Sequence, residues 1–246
     1  MRHIIHGMGN QIVRFSCMRM FNLHLDHPVV SFTFDDAPAS AFERGGEILS
    51  GYGYAATYYI ALSFLNSKEQ ALSFTQKHLE NALESGNELG CHTFSHICFQ
   101  AVESSCIEED LNKNAREFQR IFPQEKFYNF SYPFGGQTIA GKKLIEQGFR
   151  SSRSIRGGIN SGKIDLNSLD AVRLYERSES LEAIYQKIAE VEKRKGWLIF
   201  YTHDVQKNYS EYGCSSAYLD AVVKRCIQCG IHVMPVNKVL DLAGAP

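Results

Sequence analysis

Val29-Val30-Ser31-Phe32-Thr33-Phe34-Asp35-Asp36 is the stretch whose reading decides the fold. Six β-branched, aromatic or small residues read as a buried strand, and the strand runs straight into two adjacent carboxylates. Burial penalises both charges and each repels the other, so a purely structural role suits them badly. A bound cation would resolve that conflict. Downstream, His92-Thr93-Phe94-Ser95-His96 offers two imidazoles four residues apart. A helical turn there would aim both at one ion. One carboxylate with two imidazoles is a complete protein ligand set for a catalytic divalent metal, and the neighbouring carboxylate supplies a base.

Working outward, further short runs read as strands: Ala55 to Ala61, Glu88 to Cys91, Phe127 to Phe130, Ala171 to Leu174, Leu198 to Thr202 and Ile231 to Pro235, with Phe149 to Ser152 an eighth candidate. Helical spacing fills the intervals. Ile107, Leu111, Ala115, Phe118 and Phe122 share one face, which a Ser105-x-x-Glu108 capping box opens and Pro123 stops. Leu181, Ile184, Tyr185, Ile188 and Val191 mark a second helix, and Leu219, Val222, Val223, Cys226 and Ile227 a third, closed by Gly230. Strand–helix alternation implies parallel strands with helical crossovers. Without a Gly-x-Gly-x-x-Gly turn, the pattern favours a single-domain α/β fold, a distorted (β/α) barrel of about seven parallel strands. The barrel spans residues 29–242, behind an extension at 1–28. Asp35-Asp36, His92, the Pro133 loop and His203 all follow predicted strands, on the rim where barrel enzymes assemble their sites.

Composition narrows the function. The chain of 246 residues is 44% hydrophobic, enough for a full core. A formal net charge of −1, with both signs interspersed, gives no basic stripe for nucleic acid or an anionic membrane. No apolar run is long enough to span a bilayer or serve as a leader, so a cytoplasmic protein is expected. Seven scattered cysteines read as reduced thiols, and Cys226-x-x-Cys229 as helical core packing. His3, His6, His24, His27, His78 and His232 read as ordinary surface residues. Lys142-Lys143 and Glu192-Lys193-Arg194-Lys195 read as solvated helix faces.

Five stretches resemble the polysaccharide deacetylase family, the metal-dependent deacetylases with NodB homology. Thr33-Phe34-Asp35-Asp36-Ala37-Pro38 resembles the family's TFDDGP, with Ala37 where glycine is usual. Gly86 to His96 resembles its GHEIGNHTxxH segment, and Ala56-Thr57-Tyr58-Tyr59-Ile60 its second strand. Tyr132-Pro133-Phe134-Gly135 is similar to the proline–aromatic–glycine loop. Ile199 to Asp204 resembles the final strand that carries a catalytic histidine.

The resemblance implies that Asp36, His92 and His96 hold the metal, most readily Zn²⁺, with Co²⁺, Ni²⁺, Mn²⁺ or Fe²⁺ as alternatives. It makes Asp35 the general base and His203 the acid that protonates the departing amine. The backbone N–H of Phe134, in the loop with Tyr132, Pro133 and Gly135, receives charge on the amide oxygen. The implied activity is hydrolytic removal of an N-acetyl group from an N-acetylated sugar, in a polysaccharide, an oligosaccharide or a glycan precursor.

Three departures stand out. The family's loop arginine is replaced by Ser131, so Arg153 or Arg156 is expected to swing in beside Asp35. The Asp-x-x-Asp-Trp motif is absent, which leaves Asp165 and Asp170 as the acids available to orient His203. Tyr201 occupies the position of a leucine that lines the acyl pocket. Two alternatives follow: an allantoinase-like hydrolase of small cyclic amides or ureides, and a non-catalytic glycan-binding relative. Retention of both Asp35 and His203 argues against the second, since a binder needs neither base nor acid.

Overall fold

Ten strands organise the chain in a computed structural model that describes Val13 and residues 15–246. They are β1 (Met20–Leu23), β2 (Val29–Asp35), β3 (Thr57–Ile60), β4 (Glu88–Cys91), β5 (Asn129–Ser131), β6 (Ser151–Arg153), β7 (Gly162–Asp165), β8 (Val172–Arg173), β9 (Trp197–Thr202) and β10 (His232–Val233). The main sheet runs β6-β5-β4-β3-β2-β9-β8, every neighbour parallel, and β10 pairs with the start of β2. The sheet curls until segment 166–171 bridges its two edges. Ser152 N donates to Leu166 O, Ser154 N to Leu169 O and Ala171 N to Arg156 O, at 2.8, 2.9 and 2.8 Å. The expected barrel of about seven parallel strands therefore forms.

Helices pack around it, among them α1 (Gly46–Gly51), α2 (Gln76–Glu84), α3 (Ser104–Ile121), α4 (Ile139–Gly148), α5 (Leu181–Arg194), α6 (Ser216–Gln228) and α7 (Val236–Leu242). The period-2 geometry of the strands sorts their side chains. Val30, Phe32 and Phe34 of β2 and Leu198 and Phe200 of β9 pack outward against the helices, in one apolar cluster. Val29, Trp197, Ile199 and Tyr201 belong to a second cluster inside the barrel. The same inward phase brings Asp35 to the end of β2 and His203 just past the end of β9. A buried polar network fills the rest of the interior. The Glu88 carboxylate accepts from Asn129 Nδ2 (2.6 Å), Thr57 Oγ1 (2.8 Å) and Asn237 N (2.8 Å), and Ser151 Oγ donates to Asn129 Oδ1 (2.7 Å).

Several expectations need correction. The capping box at Ser105 does not form: α3 starts at Ser104, with Glu103 as its N-cap and no side-chain cap bond. Lys142 is not solvated. It is fully buried on α4 and ion-paired to Asp165 at 3.1 Å, because the β1–β7 ribbon covers that face. His78 caps α2 reciprocally with Thr75. His3 and His6 lie outside the described residues.

Candidate metal and catalytic site

The site forms where β2, β4 and β9 end. Asp36 follows β2 with φ +58°, which breaks the strand's alternation and turns its carboxylate across the barrel mouth. His92 follows β4, anchored by its N–H on Ile60 O at 3.0 Å. The two histidines do not converge through a helical turn. Segment 92–96 is a loop in which Thr93 and His96 hold φ +63° and +53°. Asp110 of α3 latches it, accepting from Phe94 N at 2.7 Å and Ser95 N at 2.9 Å. Five of the eight non-glycine residues with positive φ among the described residues lie here: Asp36, Ala37, Thr93, His96 and Phe134. Each such conformation costs about 1–3 kcal/mol, and such strain clusters at functional sites.

Asp36 Oδ1 lies 3.1 Å from His96 Nε2 and 3.7 Å from His92 Nε2. One ligand atom from each of these three residues falls within 4.8 Å of the others. The His92 Nδ1–H donates to Ser131 O at 2.7 Å, which leaves the Nε2 lone pair free to face Asp36. Asp36 Oδ1 is buried and receives no hydrogen bond. An orphaned carboxylate oxygen between two imidazole nitrogens fits a divalent cation with mixed N and O ligands. Electrostatics agree. Burial and the adjacent Asp35 charge push Asp36 up to about 7. Burial holds His92 at about 3 and His96 at about 4, so both imidazoles are neutral and free to ligate.

Asp35 sits in the opposite balance. Burial would raise it, but the Arg153 guanidinium, aided by His92 and His203, brings it down to about 2. Arg153 Nη2 bonds both Asp35 oxygens and Ser131 Oγ. Its access is a matter of register, because Arg153 is the ladder partner of Ser131 across β5 and β6. The guanidinium also lies over the Tyr201 ring, 4.6 Å from its centroid. Arg156 does not reach Asp35; it pairs with Asp170 at 3.1 Å.

His203 Nε2 lies 3.8 Å from Asp36 Oδ2, and burial lowers the imidazole's pKa. Neither expected acid orients it. Asp165 is engaged by Lys142 and Asp170 by Arg156. The partner of His203 Nδ1 is the main-chain carbonyl of Tyr212, at 3.3 Å, an acceptor with no sequence signature. The rings of Tyr175 and Tyr212 flank the imidazole at 5.8 and 5.5 Å. In the Pro133–Gly135 turn, Phe134 holds φ +56° and rests its exposed ring on His96 at 4.5 Å. Tyr132 instead points into the core, edge-on to Phe99 and Phe130.

The sequence profile described as polysaccharide deacetylase matches residues 23–147. No protein of curated function matches the chain in sequence. Among solved structures, the chain is similar to the Xyl-CE4 domain of a multidomain xylanase from the hindgut metagenome of Trinervitermes trinervoides. That likeness has 15% identity and a TM-score of 0.64, over 90% of this chain and 93% of that one. A family 4 acetyl xylan esterase from Clostridium thermocellum, in complex with a cobalt ion, is similar at 18% identity and TM-score 0.64, over 89% and 93%. BA3943, a CE4 family pseudoenzyme from Bacillus anthracis, is similar at 15% identity and TM-score 0.60, over 89% and 67%. At these identities the likeness is one of fold.

Proposed function

This chain belongs to the polysaccharide deacetylase family, and we propose that it is a metal-dependent hydrolase that removes an N-acetyl group from an N-acetylated sugar. The observation that carries the proposal is the buried, orphaned Asp36 Oδ1 facing two neutral imidazoles. Asp36, His92 and His96 would hold the cation, with Zn²⁺ the best match to the donor set. Bound there, it supplies Lewis acidity that polarises the amide carbonyl and acidifies water.

The chain's own residues do the rest. Asp35, kept ionised by Arg153, accepts the proton of the attacking water. The Phe134 N–H offers a donor to the oxygen that gains charge, a contribution of about 3–4 kcal/mol when well placed. His203 Nε2 delivers a proton to the departing nitrogen, which as an amide anion would leave very poorly. Tyr201, beneath Arg153, would border the acyl group. Among the described residues no helix is long and apolar enough to cross a membrane.

The fold likeness to a pseudoenzyme makes turnover the quantity to measure. Metal-loaded protein is expected to release acetate from N-acetylglucosamine oligomers or nucleotide-linked N-acetyl sugars. Ring opening of cyclic ureides without acetate release would replace this reading by the allantoinase-like one. Glycan binding with neither reaction would make the chain a binder.

A further inference from the structure

The loop after β9 has a hydrogen-bonded circuit that the proposed chemistry does not account for. Asp204, next to His203, is buried, and its carboxylate points back into its own loop. Oδ1 accepts from Ser210 Oγ at 2.6 Å; Oδ2 accepts from Ser210 N at 2.9 Å and Gln206 Nε2 at 2.8 Å. The Ser210 hydroxyl, having donated to Asp204, accepts from Tyr212 N at 3.1 Å. The Tyr212 carbonyl then closes the circuit. It accepts from His203 N (3.1 Å) and His203 Nδ1 (3.3 Å), while the Thr202 hydroxyl lies between it (3.2 Å) and the nearer Leu174 carbonyl (3.0 Å). The loop's end is packed just as tightly. Cys214 N donates to Asp204 O at 3.0 Å, and a Cβ on Gly213 would come within 2.3 Å of Asp204 Oδ1.

We infer that Asp204 is a positioning residue for His203, acting through the Ser210 hydroxyl and the Tyr212 main chain. A carbonyl can only accept, so it holds a proton on Nδ1 in both charge states of the ring and leaves Nε2, the nitrogen that faces Asp36, to take up and release the catalytic proton. A carboxylate contacting the ring directly would do the same by adding a third acid to a pocket that already holds Asp35 and Asp36. Routing the hold through a neutral carbonyl avoids that repulsion. The loop carboxylate thus takes the orienting task without touching the imidazole. This inference rests on the reading of His203 as the proton donor to the leaving nitrogen.

The test uses the leaving group. An amide needs its nitrogen protonated, whereas p-nitrophenolate departs from p-nitrophenyl acetate without help. Asp204→Ala and the milder Ser210→Ala are expected to lower kcat on an N-acetylglucosamine oligomer about 10-fold or more. Hydrolysis of p-nitrophenyl acetate and metal content should stay within about twofold of wild type, a small fraction of a general acid's effect. Ser210→Thr, which keeps the hydroxyl, should recover most of the loss. Nitrogen-15 spectra of the histidine rings should show His203 protonated on Nδ1 in wild type and in mixed tautomers in Ser210→Ala. Equal losses on both substrates, or an unchanged His203 spectrum, would overturn the inference. Wild-type protein inert toward both substrates would instead sink the deacetylase reading, while the ring spectra still judge the loop.

Discussion

Asp35 and Asp36 are neighbours in sequence with opposite electrostatics, and that contrast divides the labour. Arg153 keeps the first ionised, while burial and Asp35 itself make the second reluctant to ionise. Asp35→Asn should therefore keep its metal and lose about 10²-fold or more in kcat. Metal analysis beside turnover checks this, and metal loss in that variant would show the division to be wrong. Asp36 also predicts a proton count. Metal-free Asp36 holds its proton below about 7, whereas His92 and His96 have lost theirs well below that. A ligating carboxylate must be ionised, so metal uptake near pH 6 should release about one proton, and near pH 8 almost none. Calorimetry in buffers of different ionisation enthalpy measures this directly. Equal release at both values would assign the proton to another group.

Elements show which features the sequence discloses. Strands β2 and β9 are legible because continuous apolar runs mark strands covered on both faces. Their odd-numbered phase already aims Asp35 and His203 inward. Polar partners inside the barrel are not legible, since Glu88 meets Asn129 across 41 positions and Lys142 meets Asp165 across 23. No local spacing encodes such a meeting. By spacing alone Lys142 reads as a solvated helix residue for that reason, and the β1–β7 ribbon that covers it has no pattern distinct from loop. The choice between Arg153 and Arg156 depended on ladder register with Ser131, which only the paired strands reveal. Asp110 reads as one more charge on a helix, although it latches the histidine loop. Two predictions belong at this scale. Lys142→Met takes the buried cation from the half-buried Asp165 carboxylate, which keeps only the Arg19 and Asn167 N–H donors, and should destabilise the fold by about 3 kcal/mol, read from denaturant midpoints. Asp110→Ala should weaken metal affinity more than it alters the kcat of fully loaded protein, because it frees the loop that aims His96.

The whole molecule is a barrel with an apolar half-lining, a polar half-lining and one rim on which the chemistry-bearing side chains converge. Loops from β2, β4, β5, β6 and β9 each contribute to that rim, so the site exists only in the folded chain. A cation that binds the native state alone stabilises it by mass action, about 4 kcal/mol at a thousand times its dissociation constant. Chelation should lower the melting temperature of wild type and leave that of His92→Ala unmoved. The most direct measurement is the binding of zinc to metal-free wild type and to the His96→Ala variant. The account predicts one ion per chain in wild type and loss of that tight site in the variant. Wild type that takes up no ion, or a variant that binds it as tightly, would contradict the account.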